Sequence, residues 1–151
     1  MVIILPHNRI ASCSWDKTIK IWKSNPPYSD IPIKVLEGHS NSDYSVLHNY
    51  LFTLLYIKER DVMLSGSLDE KLRIWNMSTY QCDKVIEGVD YCFSLYQIDK
   101  DRVIVGGIDS FSIVNIDKGI IEKRIKDESL ECVYCFLKLR DTACLALNNI
   151  Y

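Results

Sequence analysis

The sequence has no hydrophobic run long enough to cross a membrane and no excess of charge of one sign. Its 18 basic and 20 acidic residues, in a chain of 151, give a net charge of −2 and are mixed along the sequence. A membrane-spanning helix needs about 20 apolar residues, and a nucleic-acid-binding domain normally shows a basic patch. We therefore expect neither a membrane nor a nucleic acid among the partners of this chain.

An export signal is also missing, because the apolar residues at positions 1–5 have no basic region before them and are broken by Pro6. The six cysteines are therefore expected to be reduced thiols, and the expected location is the cytoplasm, with the nucleus as an alternative. Cys132 and Cys135 form a CxxC pair, but a zinc site needs a second pair of ligands, and no histidine lies near them in sequence. We expect no metal ion and no cofactor.

The composition is that of a folded domain, with 48% hydrophobic and 25% charged residues. These proportions argue against a disordered or low-complexity chain. At 151 residues, the chain is long enough for one domain with a hydrophobic core.

A repeat of about 40 residues runs through the sequence. Residues 10–22, 63–75 and 103–115 align with one another, and a fourth, shorter match begins at residue 143. Asp109 follows Asp69 by 40 positions. Such a period predicts a fold made of repeated structural units.

The first interval is longer, since Asp69 follows Asp16 by 53 positions. Of the 13 extra residues, three lie between Trp22 and Gly38, and ten lie between Gly38 and Asp69. Both insertions fall between predicted strands, where added length costs little. The insertions therefore lengthen the first interval of the repeat without changing the order of its predicted strands.

Each unit is predicted to consist of short β-strands, because residues such as 19–22 and 72–75 alternate apolar and polar side chains. The spacing of Leu47, Leu51 and Leu55 also fits one face of a helix. The repeat register favours a strand from Leu51 onward and leaves 40–50 as an irregular insertion. The predicted strands before and after that insertion include 2–5, 51–57, 62–67, 71–76, 81–87, 92–98, 102–107, 111–116, 120–126, 132–139 and 142–147.

Four-stranded units of about 40 residues, with Gly38-His39 after a fourth strand and Trp75 in a third strand, resemble the WD-repeat family. The resemblance implies an all-β chain, a partial β-propeller of four-stranded antiparallel blades whose ring this chain does not close alone. The expected blades are 1–37, with a truncated first strand, then 51–87, 92–126 and an incomplete 131–151. The sequence begins at the end of one predicted strand and stops just past another, which favours truncation of a longer chain. The blade faces left exposed predict self-association.

In this family a histidine, a serine, an aspartate and a tryptophan form one hydrogen-bonded network. The matching residues of the second unit are His39, Ser65, Asp69 and Trp75. The first unit keeps Ser12, Asp16 and Trp22, and the third unit keeps only Asp109, with Val89, Val105 and Asn115 at the other three positions.

The same residue types, Ser65, His39 and Asp69, also occur in the catalytic triad of hydrolases. Two features argue against that function. Ser65 lies inside a predicted strand without the glycine pattern of a nucleophile elbow, and the structural network accounts for Trp75, which a triad does not. We expect no enzyme.

The resemblance further implies a scaffold that binds a peptide or a partner domain on one rim, formed by loops between blades and between second and third strands. Candidate contact residues precede the turn aspartates, at Trp15, Leu68 and Ile108, or lie in the insertion, at Tyr44, His48 and Tyr50. Alternatives are an architectural subunit of a larger assembly, such as a ubiquitin-ligase or coat complex, and an inactive gene fragment.

Overall fold

The computed structural model of this chain describes residues 1–40, 51–127, 129, 132–140 and 143–147. These residues form fourteen β-strands and one short 3-10 helix, Lys58–Arg60. The insertion predicted at 40–50 falls almost wholly outside the described residues.

The strands form three four-stranded sheets followed by a two-stranded one. The first sheet contains β1 (Val2–Leu5), β2 (Arg9–Cys13), β3 (Ile19–Lys23) and β4 (Lys34–Leu36). The second contains β5 (Leu51–Ile57), β6 (Val62–Ser67), β7 (Lys71–Asn76) and β8 (Cys82–Glu87). The third contains β9 (Ser94–Gln97), β10 (Arg102–Gly106), β11 (Ser110–Asn115) and β12 (Ile120–Lys126). The last contains β13 (Cys135–Arg140) and β14 (Ala143–Leu147).

Every sheet is an antiparallel meander in which strands that follow one another in sequence are hydrogen-bonded neighbours. The predicted strands at 51–57, 62–67, 71–76 and 120–126 are confirmed with the same bounds. Leu51–Ile57 is a strand, so the choice between helix and strand made from the repeat register is also confirmed. The prediction of an all-β partial propeller agrees with this architecture, and the sheets do not close a ring within the described residues.

The second sheet is buried on both faces. Successive residues of a strand point to opposite faces, so Met63 and Leu64 belong to different cores, as do Trp75 and Ile74. One face packs on the first sheet through a cluster of Leu54, Met63, Trp75 and Met77 with Leu5, Ala11, Ile19, Ile21 and Leu36. The other face packs on the third sheet through Ile57, Leu64, Leu72, Ile74 and Ile86 with Val103, Val105, Val114 and Ile116. The sheets are therefore stacked face to face.

The first strands of successive sheets are neighbours, with β1 beside β5, β5 beside β9 and β9 beside β13. At the junction between the second and third sheets, the chain passes so close to β6 that a Cβ on Gly66 would lie 2.0 Å from Sγ of Cys92. Burial raises the pKa of the Cys92 thiol far above its usual value. Gly66 is therefore required for sheet packing, and Cys92 is a core residue rather than a reactive thiol.

Candidate interaction rim and its hydrogen-bond network

His39 ties the first sheet to the second. It follows β4, and its Nδ1 lies 2.8 Å from Oδ2 of Asp69 and its Nε2 lies 2.7 Å from Oγ of Ser65. The indole N–H of Trp75 donates to the same Ser65 oxygen at 2.8 Å. With Nδ1–H donating to Asp69 and Nε2 bonded to the hydroxyl of Ser65, every side chain of this network has a hydrogen-bond partner. Buried polar groups need such mutual satisfaction.

Asp69 is held from several sides. Its side chain is 1% exposed, and it also accepts the backbone N–H of Ser40 at 3.1 Å and of Lys71 at 3.2 Å. Burial raises the pKa of Asp69, but the hydrogen bond and charge interaction with His39 outweigh burial, so the pKa lies below its ordinary value. The side chain of Arg73 adds a further link, since Nη2 donates to the carbonyl of Gly38 at 2.6 Å.

The first sheet contains only part of this network. Trp22 donates to Oγ of Ser12 at 2.8 Å, as Trp75 does to Ser65. Asp16 does not join them, which corrects its predicted place in a network. It accepts the backbone N–H and the hydroxyl of Thr18 at 3.0 and 2.7 Å and pairs with Nζ of Lys20 at 2.8 Å. These hydrogen bonds from Lys20 and Thr18 lower the pKa of Asp16 to about 2.

The third sheet corrects the predicted alignment of Asp109. In the second sheet Met63 pairs with Trp75, whereas in the third, Val103 pairs with Val114. In both sheets, the pairing of the third strand with the fourth contains a bulge, between Ile74 and Trp75 in the second sheet and between Ile113 and Val114 in the third. Val114 therefore takes the position of Trp75, 39 rather than 40 residues later, and the third turn is one residue shorter.

The backbone supports this shift. Asp109 has φ of 51°, like Glu70 at 58° and Lys17 at 67°, the residues that follow the turn aspartates. The carbonyls of Glu70 and Asp109 also each accept a backbone N–H from the chain that follows the fourth strand, from Val89 and from Asp127. Asp109 thus corresponds to Glu70, and its carboxylate makes no hydrogen bond to the described residues.

Asn115 is likewise not the counterpart of a tryptophan. Its amide donates to Glu122 at 2.8 Å and its oxygen accepts the N–H of Lys118 at 2.9 Å. Asn76 makes the same kind of contacts, with Asp83 and with the N–H groups of Ser78 and Thr79. The similarity of residues 74–78 (IWNMS) to 113–117 (IVNID) is the signal that could have revealed the shift.

Sequence reasoning missed a polar contact next to the lost histidine. Asp90 follows Val89, and its carboxylate accepts the hydroxyl of Ser110 at 2.7 Å and its neighbour's N–H at 2.8 Å. Arg124 also donates to the carbonyl of Gly88, as Arg73 does to Gly38. The connection between the second and third sheets is therefore tied down without the histidine network.

Ion pairs at the opposite edge of the sheets were also missed. Arg60, in the 3-10 helix, pairs with Asp101 and, at 2.6 Å, with Asp117, joining the second sheet to the third. Between the first two sheets, Arg9 donates to the hydroxyl of Tyr80 at 2.8 Å and to the carbonyl of Met77 at 3.1 Å. No spacing in the sequence predicts these ion pairs and hydrogen bonds.

The rim is the edge formed by the β2–β3, β6–β7 and β10–β11 turns and the connections between sheets. Bonds from the N–H of Val89 to the carbonyl of Glu70 at 3.2 Å, and from Val133 to Gly107 at 3.0 Å, hold turns and connections together. Of the predicted contact residues, Trp15 is 72% exposed, while Leu68 and Ile108 are half-buried.

Ile108 additionally forms a backbone bridge with Cys132, so its turn is partly covered by the chain leading to β13. The remaining predicted contact residues lie outside the described part of the chain: Tyr44, His48 and Tyr50.

A cavity of about 350 Å³ opens where the first strands begin. Its walls include Thr53, Phe93, Ser94, Tyr134 and Phe136. The rings of Phe93 and Tyr134 are 5.3 Å apart, and Tyr134 is 51% exposed. The sequence did not predict this cavity, because its walls come from three different sheets.

Cys132 and Cys135 are half-buried free thiols. Among the described residues, no group of His, Cys, Asp and Glu side chains is arranged to hold a metal ion. No helix in the part of the chain that the structure describes is long and apolar enough to span a membrane.

Comparison with known proteins places these features in context. A family model described as WD domain, G-beta repeat, matches residues 4–23. The nuclear distribution protein nudF of Aspergillus niger is 35% identical over 82 residues, which are 54% of this chain and 16% of that protein. The peroxisomal targeting signal 2 receptor of Dictyostelium discoideum is 37% identical over 67 residues, which are 44% of this chain and 19% of that protein. The matches thus span less than a fifth of these relatives.

Among solved structures, the crystal structure of the WD40 β-propeller domain of Doa1 is similar with a TM-score of 0.66. The superposition covers 87% of this chain and 40% of that chain, at 19% sequence identity. This likeness concerns the fold.

Proposed function

Because this chain is made of WD repeats folded as β-propeller blades, we propose that it is a non-catalytic scaffold that docks a peptide or partner domain on the rim. WD-repeat propellers serve as interaction scaffolds, and the rim carries the side chains suited to such a contact. One similar protein is by its name a receptor for a targeting signal, which fits this class of function.

The observation that carries the proposal is the exposure of Trp15. It is 72% exposed in the β2–β3 turn, and Leu68 occupies the same position in the β6–β7 turn. Apolar residues are unusual in solvated turns, and tryptophan is a favoured anchor of protein interfaces because it buries a large rigid surface. We infer that Trp15 and Leu68 contribute the apolar centre of the contact.

The cavity of about 350 Å³ supports a peptide as the ligand. It offers aromatic rings at Phe93 and Tyr134 and buried hydroxyls at Thr53 and Ser94. Binding sites of this kind combine apolar walls with a few polar groups that fix orientation. A side chain of an extended peptide crossing the rim fits such a cavity.

The state of Ser65 supports a non-catalytic role. Ser65 is 0% exposed. Its hydroxyl oxygen already accepts the N–H of Trp75 and contacts His39. A nucleophilic serine must reach a substrate carbonyl, which a hydroxyl enclosed between two sheets cannot do. Free thiols are found at Cys13, Cys82, Cys92, Cys132 and Cys135, in keeping with the cytoplasm, or alternatively the nucleus, as the proposed location.

The test compares Trp15→Ala with Tyr28→Ala. Tyr28 is 75% exposed but lies between β3 and β4, at the opposite edge, so it controls for the loss of an exposed aromatic ring. Proteins retained by each immobilised variant are quantified by mass spectrometry, and affinity for the strongest one is then measured by titration.

We expect Trp15→Ala to weaken binding at least tenfold, a loss typical of an interface anchor, with thermal stability unchanged. Tyr44→Ala should weaken it in the same direction. If Trp15→Ala and Tyr28→Ala bind equally well, the rim is not the docking surface.

A further inference from the structure

A cleft of about 460 Å³ opens between the first and second sheets, at the edge opposite the rim. One wall is the end of β1 with the turn that follows it, which contributes Leu5, Pro6 and His7. The other wall is the end of β5 with the 3-10 helix, which contributes Tyr56 and Lys58. We name this space the edge cleft. Its walls and those of the cavity of about 350 Å³ have no residue in common.

The edge cleft places hydrogen-bond donors next to apolar walls. Leu5, Pro6 and Tyr56 contribute carbon surface. Lys58 carries an ammonium group, and His7 carries an imidazole, which has an N–H donor in either protonation state. Both side chains are exposed. Neither makes a hydrogen bond or an ion pair with another residue in the part of the chain that the structure describes.

The carboxylate of Asp61 also borders the edge cleft, but it is bonded elsewhere. Its Oδ1 accepts the hydroxyl of Tyr56 at 2.7 Å, and its Oδ2 accepts the hydroxyl of Ser78 at 3.0 Å. Burial and the hydrogen bond to Asp61 raise the pKa of Tyr56 to about 12, so this phenol stays protonated and keeps donating at neutral pH. Asp61 is therefore paired with two hydroxyls rather than with Lys58 or His7.

The junction between the second and third sheets has the same backbone arrangement at this edge. The carbonyl of Asp61 accepts the N–H of Met77 at 3.1 Å, and the carbonyl of Asp101 accepts the N–H of Ile116 at 2.8 Å. Asp101 is thus the counterpart of Asp61 in the third sheet. There, however, the carboxylate pairs with Arg60 from the preceding sheet.

The two junctions differ in the carboxylates that face the preceding sheet. Arg60 also pairs with Asp117 at 2.6 Å, and the alignment of 74–78 with 113–117 makes Ser78 the counterpart of Asp117. Two carboxylates of the third sheet therefore neutralise a cation from the preceding turn. The second sheet has Asp61 and Ser78 at these positions, bonded to each other, so a carboxylate for the donors of the edge cleft has to come from a ligand.

The walls of the edge cleft are held in place by Arg9. Its Nε donates to the carbonyl of Pro6 at 3.0 Å, and its Nη1 donates to the carbonyl of Met77 at 3.1 Å and to the hydroxyl of Tyr80 at 2.8 Å. These bonds fix the turn of the first sheet against the second sheet. A ligand therefore meets donors and walls that are already positioned, which lowers the entropy cost of binding.

We propose that the edge cleft binds a peptide segment of a partner protein in which an aspartate or glutamate stands beside an aliphatic residue. The carboxylate accepts hydrogen bonds from Lys58 and His7, as the carboxylates of the third sheet accept them from Arg60. The aliphatic side chain packs on the apolar walls. This site does not involve the rim, so it stands or falls separately from the proposed function.

The test uses the blocked peptide acetyl-Gly-Leu-Asp-Leu-Gly-amide and a matched control peptide with asparagine in place of the aspartate. Each is titrated into the full chain, and the dissociation constant is taken from the NMR shifts of the backbone amides of His7 and Lys58. Lys58→Met and His7→Phe remove one donor each, and Lys58→Arg restores a cation. Lys100→Met is the control variant, because Lys100 is an exposed lysine in the β9–β10 turn at the same edge.

We expect the aspartate peptide to bind about fivefold or more tightly than the asparagine peptide, since hydrogen bonds to a charged group are about twice as strong as neutral ones. Lys58→Met should weaken binding of the aspartate peptide about five- to tenfold, and Lys58→Arg should restore most of it. His7→Phe should weaken binding in the same direction, and Lys100→Met should leave it unchanged. Added salt should weaken the aspartate peptide more than the asparagine peptide.

Three results overturn the proposal: no shift at His7 and Lys58 with the aspartate peptide, equal affinities of the two peptides, or equal losses for Lys58→Met and Lys100→Met. Inorganic phosphate is the competing ligand and is titrated in the same way. Phosphate that binds at these signals as tightly as the aspartate peptide shows a simple anion site and also overturns the proposal. Weaker binding of phosphate supports a ligand whose carboxylate is joined to an apolar group.

Discussion

The second and third sheets share a strand order and a stacked core but are tied to their predecessors by different polar contacts. The second uses His39, Ser65 and Asp69 around Trp75. The third has Val89 and Val105 where the histidine and serine stand, both 1% exposed, and its turn is one residue shorter, with no counterpart of Asp69. The third sheet thus lacks every member of the network.

This comparison shows what the network does. The third sheet packs on the second without the histidine network, through its apolar face and through other polar contacts, made by Asp90 and Arg60. A buried polar group is costly only when its partner is missing. Loss of all members together is therefore tolerated, whereas loss of one member is expected to destabilise the fold.

The largest expected effect comes from removing the aromatic member of the network. Trp75→Ala leaves a large cavity between the first two sheets and should lower the free energy of unfolding by about 3–5 kcal/mol. Val114→Ala, at the equivalent position of the third sheet, removes far less volume and should cost about 1–2 kcal/mol. Urea denaturation measures both. Equal losses would show that the two sheets are not built differently at this position.

Next in size is the coupling between His39 and Ser65. Each single change to valine leaves the other polar group without its partner, and should cost about 1–3 kcal/mol. The double variant His39→Val/Ser65→Val resembles the third sheet, and its loss should be smaller than the two single losses added together by about 1 kcal/mol. Urea denaturation of the four proteins gives this coupling. Strict additivity would contradict a shared network.

A smaller effect is expected from pH. Because the folded state lowers the pKa of Asp69 below its ordinary value of 3.8, its contribution to stability is present above that value and is lost as pH falls through the folded pKa. Asp69→Asn should therefore be less stable than the original chain near neutral pH, with the difference shrinking below about pH 4. Denaturation across this range measures it. Asp109→Asn, in the third sheet, is the control for replacing a turn aspartate by its amide.

The smallest effect is expected at Asp16. Its side chain is 44% exposed and its partner Lys20 34% exposed, and ion pairs of this kind contribute less than about 1 kcal/mol. Asp16→Ala should therefore leave the free energy of unfolding almost unchanged, although Asp16 corresponds to the buried Asp69. A loss as large as that of Asp69→Ala would mean that Asp16 already has a buried partner.

Several parts of the fold could be predicted from the sequence because they depend on neighbouring residues. The alternation in 72–75 reflects one side chain per face at each step along a strand. The repeat register placed the strands at 51–57, 62–67 and 71–76, and the observed strands have the same bounds. The approach of His39 to Ser65 and Asp69 was predicted as well, since the second unit keeps all four residue types of the resemblance.

Other contacts could not be predicted because they depend on small differences in chain length or on distant segments. The alignment of Asp109 with Asp69 was wrong since one missing residue in a turn shifts every later side chain to the opposite face. Asp16 bonds Lys20 and Thr18, whereas Asp69 at the equivalent position bonds His39, and the sequence pattern does not distinguish the two. The bridge from Arg60 to Asp101 and Asp117 joins residues that come together only when two sheets stack.

By itself, then, the sequence determined the strands, the repeat and which residues alternate between two cores, because burial on a pleated strand is a local property. Only the tertiary structure decided which polar atoms meet, which turn is shorter and which sheet face stays open. The physical reason is that a hydrogen bond requires its atoms to lie within about 3 Å, and such closeness between residues of different sheets depends on the packing of the whole stack.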